Sequence, residues 1–275
     1  MDSSPEPLVA RARIALGTLV EVALPEGSAT EARFDAAFAA IGHVHRCMSP
    51  RDPGSDLARI ARDAHRRAVR VDCETYAVLA LALEVACISR GAFDPAVGPR
   101  GGGLGALALE SGFRVRTTRA VSLDLGGIAK GHAVDRAIET LAADGVTWAV
   151  VNAGGDLRVL GDSRWHRIRV RDPRAPSRSI PLCDLRDGAL ATSGAQLDPA
   201  FVHPRTRRAC RVEESISVAA ARCSVADALT KVVAFAPHLA PRVLGHFDAQ
   251  AFVIGADGRA MQAGAGRAGS LRRVA

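Results

Sequence analysis

The chain has 275 residues, 48% hydrophobic and 24% charged, which is enough to bury a substantial core as one large domain or two intimately packed subdomains. A net charge of +7 points to an anionic partner, yet the arginines are scattered and only RVRTTR and RTRRACR resemble clusters. With 4% aromatic residues for base stacking, the balance argues against nucleic acid and for a phosphorylated small ligand.

Thr18 to Leu24 is short, apolar and β-branched and predicts a strand, and residues 31–48 carry Phe34, Phe38, Ile41 and His45 at helical spacing. Ser55, after Pro53-Gly54, caps a second predicted helix, SDLARIARDAH. Ala68 to Val71 reads as a short strand and Thr75 to Ser89 as a strongly apolar, buried helix. FDPAVGPRGGGLG then excludes regular structure by its prolines and glycines. Ala120 to Leu125 predicts a strand, Gly126-Gly127 a turn, Ala129 to Asp144 a helix ended by Gly145, and Val146 to Asn152 another strand. Strands are also expected at 167–170, 180–185 and 215–220, a helix at 224–235, and a closing hairpin turning at Ala256-Asp257-Gly258.

Six cysteines, widely spaced and without a C-x-x-C pair, argue for reduced, packed thiols rather than a disulfide framework or zinc ribbon. No apolar run reaches membrane-spanning length. The amino terminus starts acidic and lacks a continuous apolar segment before a cleavage site, so a cytoplasmic address is expected.

Against 36 basic residues the chain keeps two lysines, Lys130 and Lys231, and one asparagine, Asn152. A sequence this biased toward arginine should keep lysine where a compact point charge is needed, so these residues point to a site. Lys130 lies in DLGGIAKG, a glycine turn before a helix, where backbone N–H groups and an ammonium can meet an anion. The turn matches neither G-x-x-x-x-G-K-[ST] nor G-x-G-x-x-G. Asn152 precedes Gly154-Gly155-Asp156, and Thr192-Ser193 precede Gly194, so several small polar turns suggest one ligand crevice. In VADALTKVV, Asp227 and Lys231 fall at i and i+4 on the less apolar side of a helix.

Taken in order, L-G-T from Leu16, M-S-P-R-D-P-G-S-D-L from Met48, F-D-P-A-V-G-P from Phe93, D-L-G-G-I-A-K-G-H-A-V-D from Asp124, N-A-G-G-D from Asn152, A-T-S-G from Ala191, H-P-R-T from His203 and A-D-A-L-T-K from Ala226 resemble the FAD:protein FMN transferases of the ApbE family. The resemblance implies an α+β fold of mixed, largely antiparallel sheets flanked by helices, with residues 1–275 forming one domain. It implies FAD as donor, magnesium as helper ion, and FMN transfer to a threonine or serine of an acceptor protein. An FAD-binding protein without transfer, or an FAD pyrophosphatase-like hydrolase, is the alternative. Carried over by position, Leu16, Arg51, Ala92, Phe93, Asp94, Asp124 and Lys130 would line the flavin nucleotide, joined by Asn152 and Thr192 from the crevice reading. Gly127 would offer its carbonyl and Asp227 its carboxylate to the metal.

The chain departs from the family pattern at four places. Leu16 stands for a methionine and Arg51 for an aromatic, and aligning P-R-T puts Ala200 where the family has its histidine base, leaving His203 as the candidate base. Lys231 stands where a metal-binding threonine is usual, so its ammonium is expected to occupy part of the magnesium position and take a catalytic share of the charge neutralisation.

Overall fold

Two strands joined by Leu16 and Gly17 open the fold, β1 (Leu8–Ala15) and β2 (Thr18–Pro25). Leu16 at φ 55 and Gly17 at φ 75 supply the two left-handed residues of a tight hairpin turn, a conformation that strains leucine but not glycine. The structure is a computed structural model and describes residues 6–96, 103–194, 201–204, 206–264 and 270–273. Next come α1 (Glu31–Met48), capped by the Thr30 side chain, and α2 (Asp56–Asp63), capped by Ser55 as its sequence predicts. β3 (Val69–Arg70) leads to α3 (Cys73–Ile88), whose cap is Asp72.

β4 (Leu107–Glu110) and β5 (Arg114–Thr117) complete a small sheet with β3. α4 (Ala129–Ala143) precedes the hairpin β6 (Ala149–Ala153) and β7 (Asp156–Leu160), and β8 (His166–Asp172) pairs with β9 (Ala175–Arg186). β10 (Gly188–Ser193), β11 (Phe201–Val202), β12 (Ala209–Cys210) and β13 (Ser215–Ala220) run into α5 (Cys223–Phe235). α6 (Ala240–His246), β14 (Gln250–Ile254), β15 (Ala260–Ala263) and β16 (Ser270–Arg273) end the fold.

The main sheet has eight strands in the order β1-β2-β6-β7-β10-β13-β14-β15. Every neighbouring pair in it is antiparallel. Strand alternation sends Val151, Ala153, Ala189, Ala191 and Val218 into one core beneath α1, α4 and α5. It sends Val150, Leu157, Val159, Leu190 and Phe252 to the opposite face, against Ile168 and Leu185 of the β8–β9 hairpin.

The expected strand at 120–125 is absent. Its alternation is genuine, since Val121, Leu123 and Leu125 are buried, but the Asp124 N–H donates to the carbonyl of Pro95, 2.8 Å away in a loop. The segment is therefore extended without a ladder, and it ties Asp124 to the stretch after Phe93.

Candidate active site

The two lysines meet at two buried aspartates beneath the helix-covered face of the sheet. Lys231 Nζ lies 2.5 Å from Asp227 Oδ1 and donates to Ser193 Oγ at 3.2 Å. Lys130 Nζ lies 2.7 Å from Asp156 Oδ2 and 3.7 Å from Asp227 Oδ2. Asp227 is fully buried, and its Oδ2 also accepts from Gly131 N at 3.3 Å, in the first turn of α4, where the helix dipole favours an anion. Two cations and two anions thus alternate across α4, α5 and β7, with Ser193 of β10 bonded to Lys231 at one end.

The local sequence explains this placement. Gly131 lets α4 touch α5, because a Cβ there would stand 2.3 Å from the Cys223 carbonyl oxygen. Asp135, one turn on, accepts from Cys223 N, Ser224 N and Ser224 Oγ at 2.7–2.9 Å and so caps α5 from its neighbour. Gly131→Ala should therefore lower the melting temperature and move Lys130 off Asp227. Overpacking of this kind costs about 1–3 kcal/mol, and thermal denaturation with FAD titration measures both effects.

Electrostatics keeps the cluster charged. Burial opposes the Lys130 ammonium, but Asp227 and Asp156 overcome it and raise its pKa above that of an ordinary lysine. Burial likewise opposes the Asp227 carboxylate, and Lys130 and Lys231 hold it below the usual range. Burial and the Asp227 charge push Asp156 up to about 6, against the pull of the two lysines.

The flavin-site candidates fall into separate places. Asp124 accepts from Gly126 N at 2.8 Å, and the Gly126 carbonyl lies 3.5 Å from Lys130 Nζ, so Asp124 stands at the rim of the cluster. Ala92 and Phe93 are buried, and Asp94 accepts from Ala96 N at 2.8 Å, its pKa raised by burial. The Arg207 charge, in the loop of His203, acts on Asp94 against that rise. Leu16 sits at the hairpin tip and Arg51 in an exposed turn after α1. Neither is hydrogen-bonded to the four charges among the described residues.

Asn152 and Thr192 face the other way. The Gly154-Gly155 turn pairs Ala153 with Asp156 and Asn152 with Leu157, so Asp156 enters the cluster while Asn152 emerges on the opposite face. Thr192 likewise points away from its neighbour Ser193, bonding Ser217 Oγ at 2.9 Å. Both line a cavity of about 570 Å³ edged by Arg169, Arg171 and Arg178. The sheet separates this cavity from the lysines.

His203 packs its ring against Phe235, centroids 5.3 Å apart, and its Nδ1 accepts from Thr206 N at 3.3 Å. A neutral imidazole held this way carries its proton on Nε2. Ala200 lies outside the described residues.

Magnesium does not fit these side chains as they stand. It demands near-octahedral oxygen ligands at about 2.0–2.1 Å. Here Asp227 Oδ1 is occupied by an ammonium at 2.5 Å, and Lys231 Cε lies 3.0 Å from where a Gly127 Cβ would project. The lysine fills the space between Gly127 and Asp227. The two carboxylates are already balanced by two ammoniums.

The motifs place Asp156 and Ser193 among the crevice turns without naming their partners, and leave Asp135 without a role. Strand parity along β7 and β10 decides which of their residues face the helices. Asp135 closes the motif that begins at Asp124, eleven residues on, and its work is to hold α5.

Comparison with known proteins agrees with this architecture. The fold matches that of the ApbE protein of Thermotoga maritima (TM-score 0.80, 23% identity, covering 94% of this chain and 97% of that one). It also matches the flavin transferase ApbE of Vibrio cholerae (TM-score 0.81, 22% identity, covering 97% and 98%). In sequence, the FAD:protein FMN transferase of Rhodobacter capsulatus is 33% identical over 82% of this chain and 51% of its own length. That of Treponema pallidum is 28% identical over 80% and 76%. The chain therefore spans about half the length of the Rhodobacter relative. The ApbE family model matches residues 16–252, and with the motifs from Asp124 and Ala226 built into one buried site, the chain belongs to the ApbE family.

Proposed function

We propose that this chain transfers FMN from FAD to a threonine or serine hydroxyl of an acceptor protein. The observation that carries the reading is the lysine–aspartate cluster at the start of α4, beside the Asp124 turn. The diphosphate of FAD needs charge neutralisation and in-line positioning, and the attacking hydroxyl needs a base. The acceptor oxygen bonds to the FMN phosphorus, the bond to the AMP phosphate oxygen breaks, and AMP leaves.

Lys130 and the α4 N-terminus receive the diphosphate, while Asp124, Ala92, Phe93, Asp94, Leu16 and Arg51 border the rest of the nucleotide. Lys231 supplies the positive charge that a divalent ion would otherwise bring. For His203 to accept the hydroxyl proton at Nε2, its ring hydrogen must move to Nδ1, so the Thr206 N–H contact opens as the acceptor docks.

Incubation with FAD and a threonine-bearing acceptor peptide tests the reading. Flavin on the peptide with AMP released supports it; AMP and free FMN without labelled peptide would identify a hydrolase, and unchanged FAD a binding protein.

Asp156 adds a pH dependence. Its raised pKa of about 6 makes it more protonated folded than unfolded, so its stabilising contribution is full below 3.8 and fades as pH rises through 6. The neutral acid removes one negative charge facing the diphosphate. FAD affinity should therefore rise as pH falls from about 7 to 5, and Asp156→Asn should flatten that profile at the tight-binding level. Flavin fluorescence titration across pH measures it; a wild-type profile as flat as the variant's counts against the role.

A further inference from the structure

We propose that His43, Cys47 and Asp72 form a zinc site, separate from the lysine–aspartate cluster, that fastens α1 to the start of α3. One ligand atom from each residue lies within 4.8 Å of the other two. His43 Nε2 stands 3.1 Å from Asp72 Oδ2 and 3.7 Å from Cys47 Sγ. Zinc–nitrogen, zinc–oxygen and zinc–sulfur bonds of about 2.05, 2.1 and 2.3 Å at a tetrahedral angle give ligand edges of about 3.4 and 3.6 Å for those two pairs. The two observed edges are within about 0.3 Å of these lengths, and the Cys47–Asp72 edge, within 4.8 Å, has to close to about 3.6 Å as the ion binds.

The sequence builds the site from two rigid elements. His43 and Cys47 are i and i+4 on α1, so helical geometry sets them one above the other. Asp72 is the cap of α3; its Oδ1 accepts from Glu74 N at 2.9 Å, which leaves Oδ2 turned to His43. The Asp72 N–H is in turn held by Asp56 Oδ2 at 2.8 Å. Such outer contacts orient a ligand before any ion arrives.

A thiolate with an imidazole selects zinc over magnesium, and three protein ligands leave the fourth position to water. Zinc binding replaces the thiol proton of Cys47 with the ion, so one proton is released for each zinc bound through sulfur. The expected consequence is mechanical. Cys47 lies four residues before Arg51, and α3 ends shortly before Ala92, so the ion would brace both segments that lead toward the proposed flavin pocket.

The test is calorimetric titration of the EDTA-treated full chain with zinc chloride, paired with cobalt(II) absorption in the thiolate-to-metal charge-transfer region. One equivalent should bind, with a sulfur-to-cobalt band. Cys47→Ser should erase the band, and both it and His43→Gln should weaken zinc by at least tenfold, while Cys87→Ser, at an exposed thiol, should change nothing. The apo variants should melt like the apo wild type, and zinc should raise the wild-type midpoint alone. Absence of stoichiometric binding, or a band and affinity that survive Cys47→Ser, overturns the site.

Discussion

Asp227→Asn should abolish detectable FMN transfer, a loss of at least a hundredfold, and lower the melting temperature by roughly 6–10 °C. The substitution keeps the shape of the side chain and removes only its charge. Lys231, whose side chain is 13% exposed and 2.5 Å from Asp227 Oδ1, then lacks its anion in a buried setting, whereas Lys130 keeps Asp156. Removing one partner of a buried pair costs about 3–5 kcal/mol, the lower figure applying where the amide oxygen still accepts a hydrogen bond. The double variant Asp227→Asn/Lys231→Met removes both charges. It should regain most of the lost stability and none of the activity, because the neutralising ammonium is gone too. Thermal denaturation and the AMP-release assay separate these outcomes; a double variant no more stable than the single one would show that the pair is not the source of the loss.

Much of this arrangement was legible in the sequence, for identifiable reasons. α1 and α5 carry apolar stripes at helical spacing, and Ser55 marks the start of α2 as a polar cap. β1, β7 and β10 lacked a usable signal. β1 is an edge strand exposed along most of its length, so LVARARIA shows no buried face. β7 buries Asp156 against Lys130, and Arg158 reaches Asp135, which disguises its alternation as polar sequence. β10 is buried on both faces, so GALATS does not alternate.

The site divides in the same way. Rarity led to Lys130 and Lys231 because a compact point charge on a flexible stem fits a tight space that a planar guanidinium fork does not. Rarity also led to Asn152, and there the inference of a single crevice was too coarse. A two-residue turn and a period of two decide which face each residue takes, and they place Asn152 and Thr192 across the sheet from the lysines. Composition identifies unusual residues; only pairing register says which of them share a space.

Lys231→Thr should make FAD binding depend on added magnesium. In the wild type the Lys231 chain runs over Gly127 and its ammonium touches Asp227 Oδ1, Ser193 Oγ and the Asp227 carbonyl oxygen. Truncation withdraws all of these contacts at once. The Asp227 carboxylate, the Ser193 hydroxyl and the new hydroxyl would then offer oxygen to the vacated space, the ligand chemistry a hard cation requires. Without metal, FAD binding should weaken roughly ten- to a hundredfold, the equivalent of one charge-assisted contact of about 1.5–3 kcal/mol. Added magnesium should restore the variant and leave the wild type unchanged, since an ammonium already occupies the position. Calorimetric FAD titrations in EDTA and in magnesium decide the matter. Equal magnesium dependence in both proteins would mean that Lys231 moves aside for the ion. In that case its pairing with Asp227 is a resting arrangement, and the charge that neutralises the diphosphate comes from elsewhere.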